Sequence, residues 1–178
     1  MLMRRLMRGF TTIEMLIGIV VLAVLLGLGA PSFMVWLQNA QIRNAADAVL
    51  NGLQLARTEA IRRNKPVQFA LTTQSGWQVT IVNPSVNDPP NPIQKRSRQE
   101  GSLKVDVAAT PGGAYAVTFD AMGGPTPNAD ASLTITSLDF TSSVATSAPR
   151  PLRIVVSVSG TIRLCDPSLA AGDSRGCS

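Results

Sequence analysis

The sequence predicts an α+β protein: one long N-terminal transmembrane and amphipathic helix carrying a small, mostly antiparallel β-domain. Three observations predict it. No charged residue occurs between Glu14 and Arg43. From Gln38 to Asn64 apolar residues return at helical spacing. After Pro66 that period vanishes, and short runs rich in Val, Ile, Thr and Phe alternate with Gly- and Pro-bearing turns.

The first element is the apolar run. Met15–Leu37 reads MLIGIVVLAVLLGLGAPSFMVWL, 23 residues with Ser32 as its polar interruption. About 20 such residues cross a bilayer as a helix. Arg4, Arg5 and Arg8 precede the run, which keeps the N-terminus cytoplasmic and places the rest of the chain across the membrane. Pro31 removes a backbone hydrogen bond inside the helix and is expected to bend it. Glu14, at the edge of the run, is costly there unless something pairs with it. An ordinary secretory signal is a competing reading, with Met15–Ala30 as its apolar region and Leu28-Gly29-Ala30 as its cleavage site. Pro31 just past that cut disfavours it. A plain single-pass anchor is the other competitor.

The helix continues beyond the membrane edge. Ile42, Ala46, Val49, Leu53, Ala56 and Ala60 form an amphipathic stripe within Gln38–Asn64, apolar enough to hold a sheet. Gly52 reads as a soft spot in it. Arg57, Arg62 and Arg63 suit the negative end of the helix dipole and read as a solvated face. Asn64-Lys65-Pro66 ends the helix, since the residue before proline disfavours helical dihedrals.

Strands are expected at Val67–Thr73, Trp77–Val82, Leu103–Val107, Ala116–Phe119, Leu133–Phe140 and Leu152–Leu164, the last turned at Ser159-Gly160. Ser75-Gly76 reads as a hairpin turn. Asn83–Pro92 holds four prolines and reads as an irregular loop; Pro111–Ala114 and Gly123–Asn128 read as turns.

Composition argues against an enzyme. The chain has no histidine to serve as a base near neutral pH. It has no nucleophile elbow and no phosphate loop. Asp120, Asp130 and Asp139 lack calcium-loop spacing and read as turn or surface residues. No catalytic residue, metal ligand or cofactor is expected. The net charge is +5, but three of the 16 basic residues stand in the leader; without them the balance against 11 acidic residues falls to +2. The basic character is largely a targeting signal.

The stretch Arg8-Gly9-Phe10-Thr11-Thr12-Ile13-Glu14, set before the apolar run, resembles the class III signal peptide of type IV pilins and pseudopilins. The string argues against a plain anchor. The resemblance implies that a prepilin peptidase cuts after Gly9 and methylates Phe10. Phe10 then carries a new α-amino group, which a neighbouring subunit's Glu14 can neutralise inside a filament core, because a buried charge is tolerated when paired. The alternative is a Glu14 that faces lipid headgroups. A proline at the place of Pro31 is common in this family.

The helix end, ARTEAIRRNKPV, followed by an all-β domain, resembles H-type minor pseudopilins of type II secretion and FimT-type minor pilins, the GspH/FimT family. Two C-terminal stretches, Gly160-Thr161-Ile162-Arg163-Leu164-Cys165-Asp166-Pro167 and Gly172-Asp173-Ser174-Arg175-Gly176-Cys177, resemble the FimT-type branch. The domains implied are a leader at 1–9, a transmembrane and filament-core helix at 10–37, an amphipathic helix at 38–65 and a periplasmic β-domain at 66–178. The implied role is a structural subunit that enters and helps prime a type IV pilus or a type II secretion pseudopilus. Its expected partners are the prepilin peptidase, other minor and major pilins or pseudopilins, and the bacterial inner membrane.

Cys165 and Cys177 then lie in an oxidising compartment, where a disulfide closing a short loop is expected; two free thiols are the alternative. Some FimT-type proteins bind DNA through a C-terminal Gly-Arg-x-Arg motif. Here the matching stretch is Gly160-Thr161-Ile162-Arg163, with Thr161 in place of the first arginine. Losing one arginine weakens a contact that works by summed charge. Arg150, Arg153, Arg163 and Arg175 are the candidate DNA-binding residues, diluted by Asp166 and Asp173. The Lys95-Arg96-Ser97-Arg98 run either extends that patch or is a solvated loop. A pilus-tip subunit for uptake of transforming DNA is thus the alternative function.

Overall fold

The computed structural model describes residues 10–88, 90–144, 149–170 and 172–177. The leader at 1–9, with Gly9, lies outside the described residues, as does the side chain of Pro31. One helix, α1, runs Thr12–Arg63 across that position, 52 residues or about 78 Å at the usual rise. Asn64 ends it in the left-handed conformation, its N–H reaching the carbonyls of Ala60 and Ile61.

Burial divides α1 into two parts. Up to Leu37 nearly every described side chain is exposed. The stretch Thr12–Ala30 is long and apolar enough to cross a membrane, and none of it is buried inside the chain. From Gln38 onward one face is covered: Ile42, Ala46, Val49, Leu53, Ala56 and Ala60 are each exposed by 1% or less. The helical period therefore picks out the covered stripe correctly.

Two antiparallel sheets cover that stripe. One has five strands in the order β3 (Gln94–Arg96), β2 (Trp77–Ile81), β1 (Val67–Leu71), β5 (Ala116–Phe119), β6 (Pro125–Thr126). The other has four, β4 (Val105–Thr110), β7 (Ser137–Ser142), β8 (Leu152–Val156), β9 (Ile162–Cys165). Phe69 stands opposite Val79 on one side and Val117 on the other, so three strands present one apolar face. That face, with Leu138, Phe140 and Ile154 of the second sheet, joins the helix stripe in a single core.

The strand pattern departs from expectation in four places. Leu133–Phe140 is not one strand: the Ile135 N–H donates to the Ala116 carbonyl of the first sheet, whereas β7 begins at Ser137 in the second. Within the crossing Ile135 is buried, whereas Leu133 is exposed. Leu103–Val107 is displaced to Val105–Thr110, and Leu103 is left exposed. Strands β3 and β6 stand where the sequence predicts loop and turn; β3 is polar and lies at an edge, so no alternation marks it.

Gly52 is no soft spot. A Cβ there would lie 2.9 Å from the Phe69 ring and 3.0 Å from the Trp77 indole. The helix lacks a side chain at that turn because two aromatic rings, with centroids 5.8 Å apart, pack onto its backbone.

Candidate functional site

Three regions carry the candidate residues, spread along α1. The first is its N-terminal tip. Thr11 is extended, and its Oγ1 accepts from the Glu14 N–H at 3.3 Å. Thr11-Thr12-Ile13-Glu14 has capping-box spacing, and a carboxylate in the first turn suits the positive end of the helix dipole. Glu14 thus has a local reason for its place, independent of any partner. Phe10, Glu14, Gly18 and Leu22 follow at four-residue steps and line one shallow groove with Met15 and Ile19. Gly18 meets nothing within 4 Å, so a neighbouring backbone has room to approach there.

The second region is the collar where α1 enters the β-domain. Gln38 Oε1 accepts from the Ser142 hydroxyl at 2.9 Å. Asn39 Oδ1 accepts from the Arg150 N–H at 3.0 Å, and Gln41 Oε1 from the Lys104 N–H at 3.3 Å. Three side-chain amides close in sequence therefore tie the helix to segments that lead into or out of β4, β7 and β8. Reading the apolar stripe alone missed them; the signal is a Gln-Asn-Ala-Gln cluster where the apolar run ends.

At the opposite end of the domain Arg57 makes a comparable tie. Its Nε donates to the Gly123 carbonyl at 3.0 Å, so it is not part of a solvated face. Gly160, at the β8–β9 turn, abuts the same carbonyl: a Cβ on it would lie 1.9 Å from the Gly123 oxygen. Both glycines have positive φ, 80° and 78°. Helix, first sheet and second sheet meet there. Arg63 is likewise engaged, pairing with Glu59 at 2.6 Å, and the more exposed Arg62 pairs with the same carboxylate at 2.7 Å. These two guanidiniums hold Glu59 below the usual carboxylate range, with the Arg62 hydrogen bond foremost.

The third region is the C-terminal loop. Cys165 and Cys177 form a disulfide with Cα atoms 5.1 Å apart. The Asp166 N–H donates to the Arg175 carbonyl at 2.8 Å, closing the loop on itself. The Ser168 hydroxyl and N–H lower the Asp166 pKa, with smaller contributions from Arg175 and Arg150.

Of the four candidate DNA-binding arginines, Arg150 and Arg175 line one cleft, and Arg153 and Arg163 lie on the neighbouring strands β8 and β9. Arg153 stands directly opposite Asp139 across β7–β8 and donates to both carboxylate oxygens, at 2.6 and 3.0 Å. Arg175 pairs with Asp173 at 3.3 Å. Arg163 is exposed on β9, where it pairs in register with Val155. Arg150 and Arg175 instead share a cleft of about 660 Å³ with Trp36, Asn39, Arg43 and the loop residues Cys165 and Asp166. The Lys95–Arg98 run does not extend the set, for β3 is the edge of the other sheet. There Arg96 donates to the Glu100 carbonyl at 2.7 Å, and Arg98 to that of Leu103. Among the described residues no group of three His, Cys, Asp or Glu side chains is placed to hold a metal ion.

The family model described as Type II transport protein GspH matches residues 45–160. No curated protein matches the chain at a significant level. Among solved structures, the type IV minor pilin FimU of Pseudomonas aeruginosa superposes with a TM-score of 0.51 at 20% identity, over 74% of this chain and 92% of that one. The solution structure of E. coli GspH superposes with a TM-score of 0.48 at 21% identity, over 77% of this chain and 93% of that one.

Proposed function

The chain belongs to the family of the type II transport protein GspH, and on that premise we propose that it is a minor pilin or pseudopilin. In this reading it is a structural subunit that enters a type IV pilus or a type II secretion pseudopilus and helps to prime it. It is first an inner-membrane precursor with its β-domain in the periplasm. The prepilin peptidase cuts after Gly9 and methylates Phe10. The helix then leaves lipid and packs against those of other pilins.

One observation carries this reading: α1 is continuous from an apolar part that none of the described residues covers to a part with one face packed into the β-domain. An uncovered apolar helix of that length is stable in lipid or against other apolar helices. Glu14 fits the second setting. It lines a shallow groove with Phe10 and Gly18, and in this reading its carboxylate pairs with a neighbour's N-terminal amine. The β-domain, held at both ends by the collar and by Arg57, offers a rigid body to other subunits.

The test is a strain lacking the gene, beside its complemented parent, with surface pili counted and secreted protein measured. Loss of pili, restored by the intact gene, supports a pilus role. Loss of secretion with normal pili supports the pseudopilus. Normal pili and normal secretion would contradict both.

A further inference from the structure

We propose that the cleft between α1 and the C-terminal disulfide loop holds the phosphate headgroup of an anionic phospholipid while the chain is anchored in a membrane. The inference rests on the anchored precursor described above. Its first support is position. Trp36 lies in the last turn of the apolar run, which ends at Leu37. It is 63% exposed and stands beside Phe33, ring centroids 5.7 Å apart. Paired, exposed aromatics at that level suit the boundary between hydrocarbon and headgroups. Arg43 is seven residues further, about 10 Å. Side chains on a helix lean towards its N-terminus, so the Arg43 guanidinium reaches back towards the membrane, with its stem along the helix.

The second support is charge. Arg43, Arg150 and Arg175 line the cleft, with Asp166 as the one acidic lining residue. The Ser168 N–H and hydroxyl donate to one Asp166 oxygen, Oδ1, at 2.9 and 2.5 Å; Asp166 remains an anion, so the cleft lining carries three positive charges against one negative. Arg175 pairs with Asp173, but neither Arg43 nor Arg150 joins an ion pair among the described residues. The planar guanidinium fork matches a phosphate. Basic residues concentrate on the cytoplasmic side of membrane proteins, so three gathered just beyond the far edge of the span call for an anion there. Leu152, Leu164 and Leu169 give the cleft an apolar wall for the glycerol end of a lipid. Its volume, about 660 Å³, is of the size that takes a small ligand.

The test uses the full chain in zwitterionic detergent micelles. Phosphatidylglycerol or phosphatidylcholine is added at equal mole fraction, and retained lipid is counted by native mass spectrometry. Phosphatidylglycerol is expected to be retained in preference. The double variant Arg43→Gln, Arg150→Gln is expected to weaken that retention about 25-fold, taking roughly fivefold for each arginine at an anionic surface. Arg163→Gln, outside the cleft, is expected to change nothing. Equal retention of the two lipids, or retention indifferent to the double variant, would overturn the proposal. Complete displacement by millimolar inorganic phosphate would also overturn it, in favour of a free-phosphate site. Resistance to alkaline extraction from pure phosphatidylcholine vesicles reports the anchor separately. Failure there contradicts the anchored reading, whereas a firm anchor without headgroup preference contradicts the cleft alone.

Discussion

Gly52 and Gly160 are two positions where a methyl group has nowhere to go. Alanine at Gly52 gains helix propensity of about 1 kcal/mol. It also drives a Cβ into the rings of Phe69 and Trp77, and overpacking a core costs about 1–3 kcal/mol. Gly52→Ala is therefore expected to destabilise, read by chemical unfolding followed at Trp77. Gly160→Ala is expected to be worse, since its Cβ would sit 1.9 Å from a backbone oxygen, far inside van der Waals contact, and at positive φ. The same unfolding measurement orders the two. Sequence made Gly52 look like a weakness and Gly160 like part of a nucleic-acid motif. Neither packing role is written locally, because the neighbours come from strands and turns far along the chain.

Carboxylates govern the pH response at this scale. Asp130 is held down at about 2, chiefly by the Tyr115 hydroxyl and then by Ser132. Asp88 lies lower still, held by the Lys65 ammonium and then by the Ser85 N–H and hydroxyl. Arg175 lowers Asp173. Each binds its proton less readily folded than unfolded, so its contribution is present above the unfolded value near 4 and is lost as pH falls through the folded value. With no histidine, nothing of that type titrates between pH 5 and 8. The melting temperature is expected to be flat over that range and to fall between about pH 4 and about pH 2. A step near pH 6.5 in a thermal melt would contradict this.

The elements differ in how plainly they are written. The helix was legible end to end, because a charge-free run and a helical stripe follow each other without a breaker strong enough to part them. The strands β1, β2 and β5 were legible because their covered residues alternate or cluster within a few positions. Strand β3 was not, being polar and at an edge, and the Leu133–Phe140 run concealed a crossing between sheets. The arginine set was least legible. Whether Arg153 is available depends on cross-strand register, which puts Asp139 directly opposite it. The disulfide loop is the element with the clearest energetic prediction. Its cysteines are 12 residues apart in sequence, and closing so short a loop stabilises by about 3 kcal/mol in the chain-entropy account. Cys165→Ala with Cys177→Ala is expected to lose about that much, measured by denaturant unfolding against the oxidised parent.

At the scale of the whole molecule, one continuous helix joins a surface made for apolar surroundings to a β-domain built for water. The collar of Gln38, Asn39 and Gln41 and the Arg57 contact fix the domain on that helix at two levels, so a pull on the helix is passed to the domain without a hinge between them. That is the mechanical requirement of a subunit extracted from a membrane into a filament. The proposed neighbour seats on the groove of Phe10, Glu14 and Gly18. The most direct measurement follows the tagged chain and its Glu14→Ala form in cells, comparing sheared filaments with membranes and determining the N-terminus of each. Both forms are expected to begin at Phe10, with the intact chain in the filament fraction and the variant left in the membrane. Glu14→Ala chains in the filaments at the parental level would contradict this.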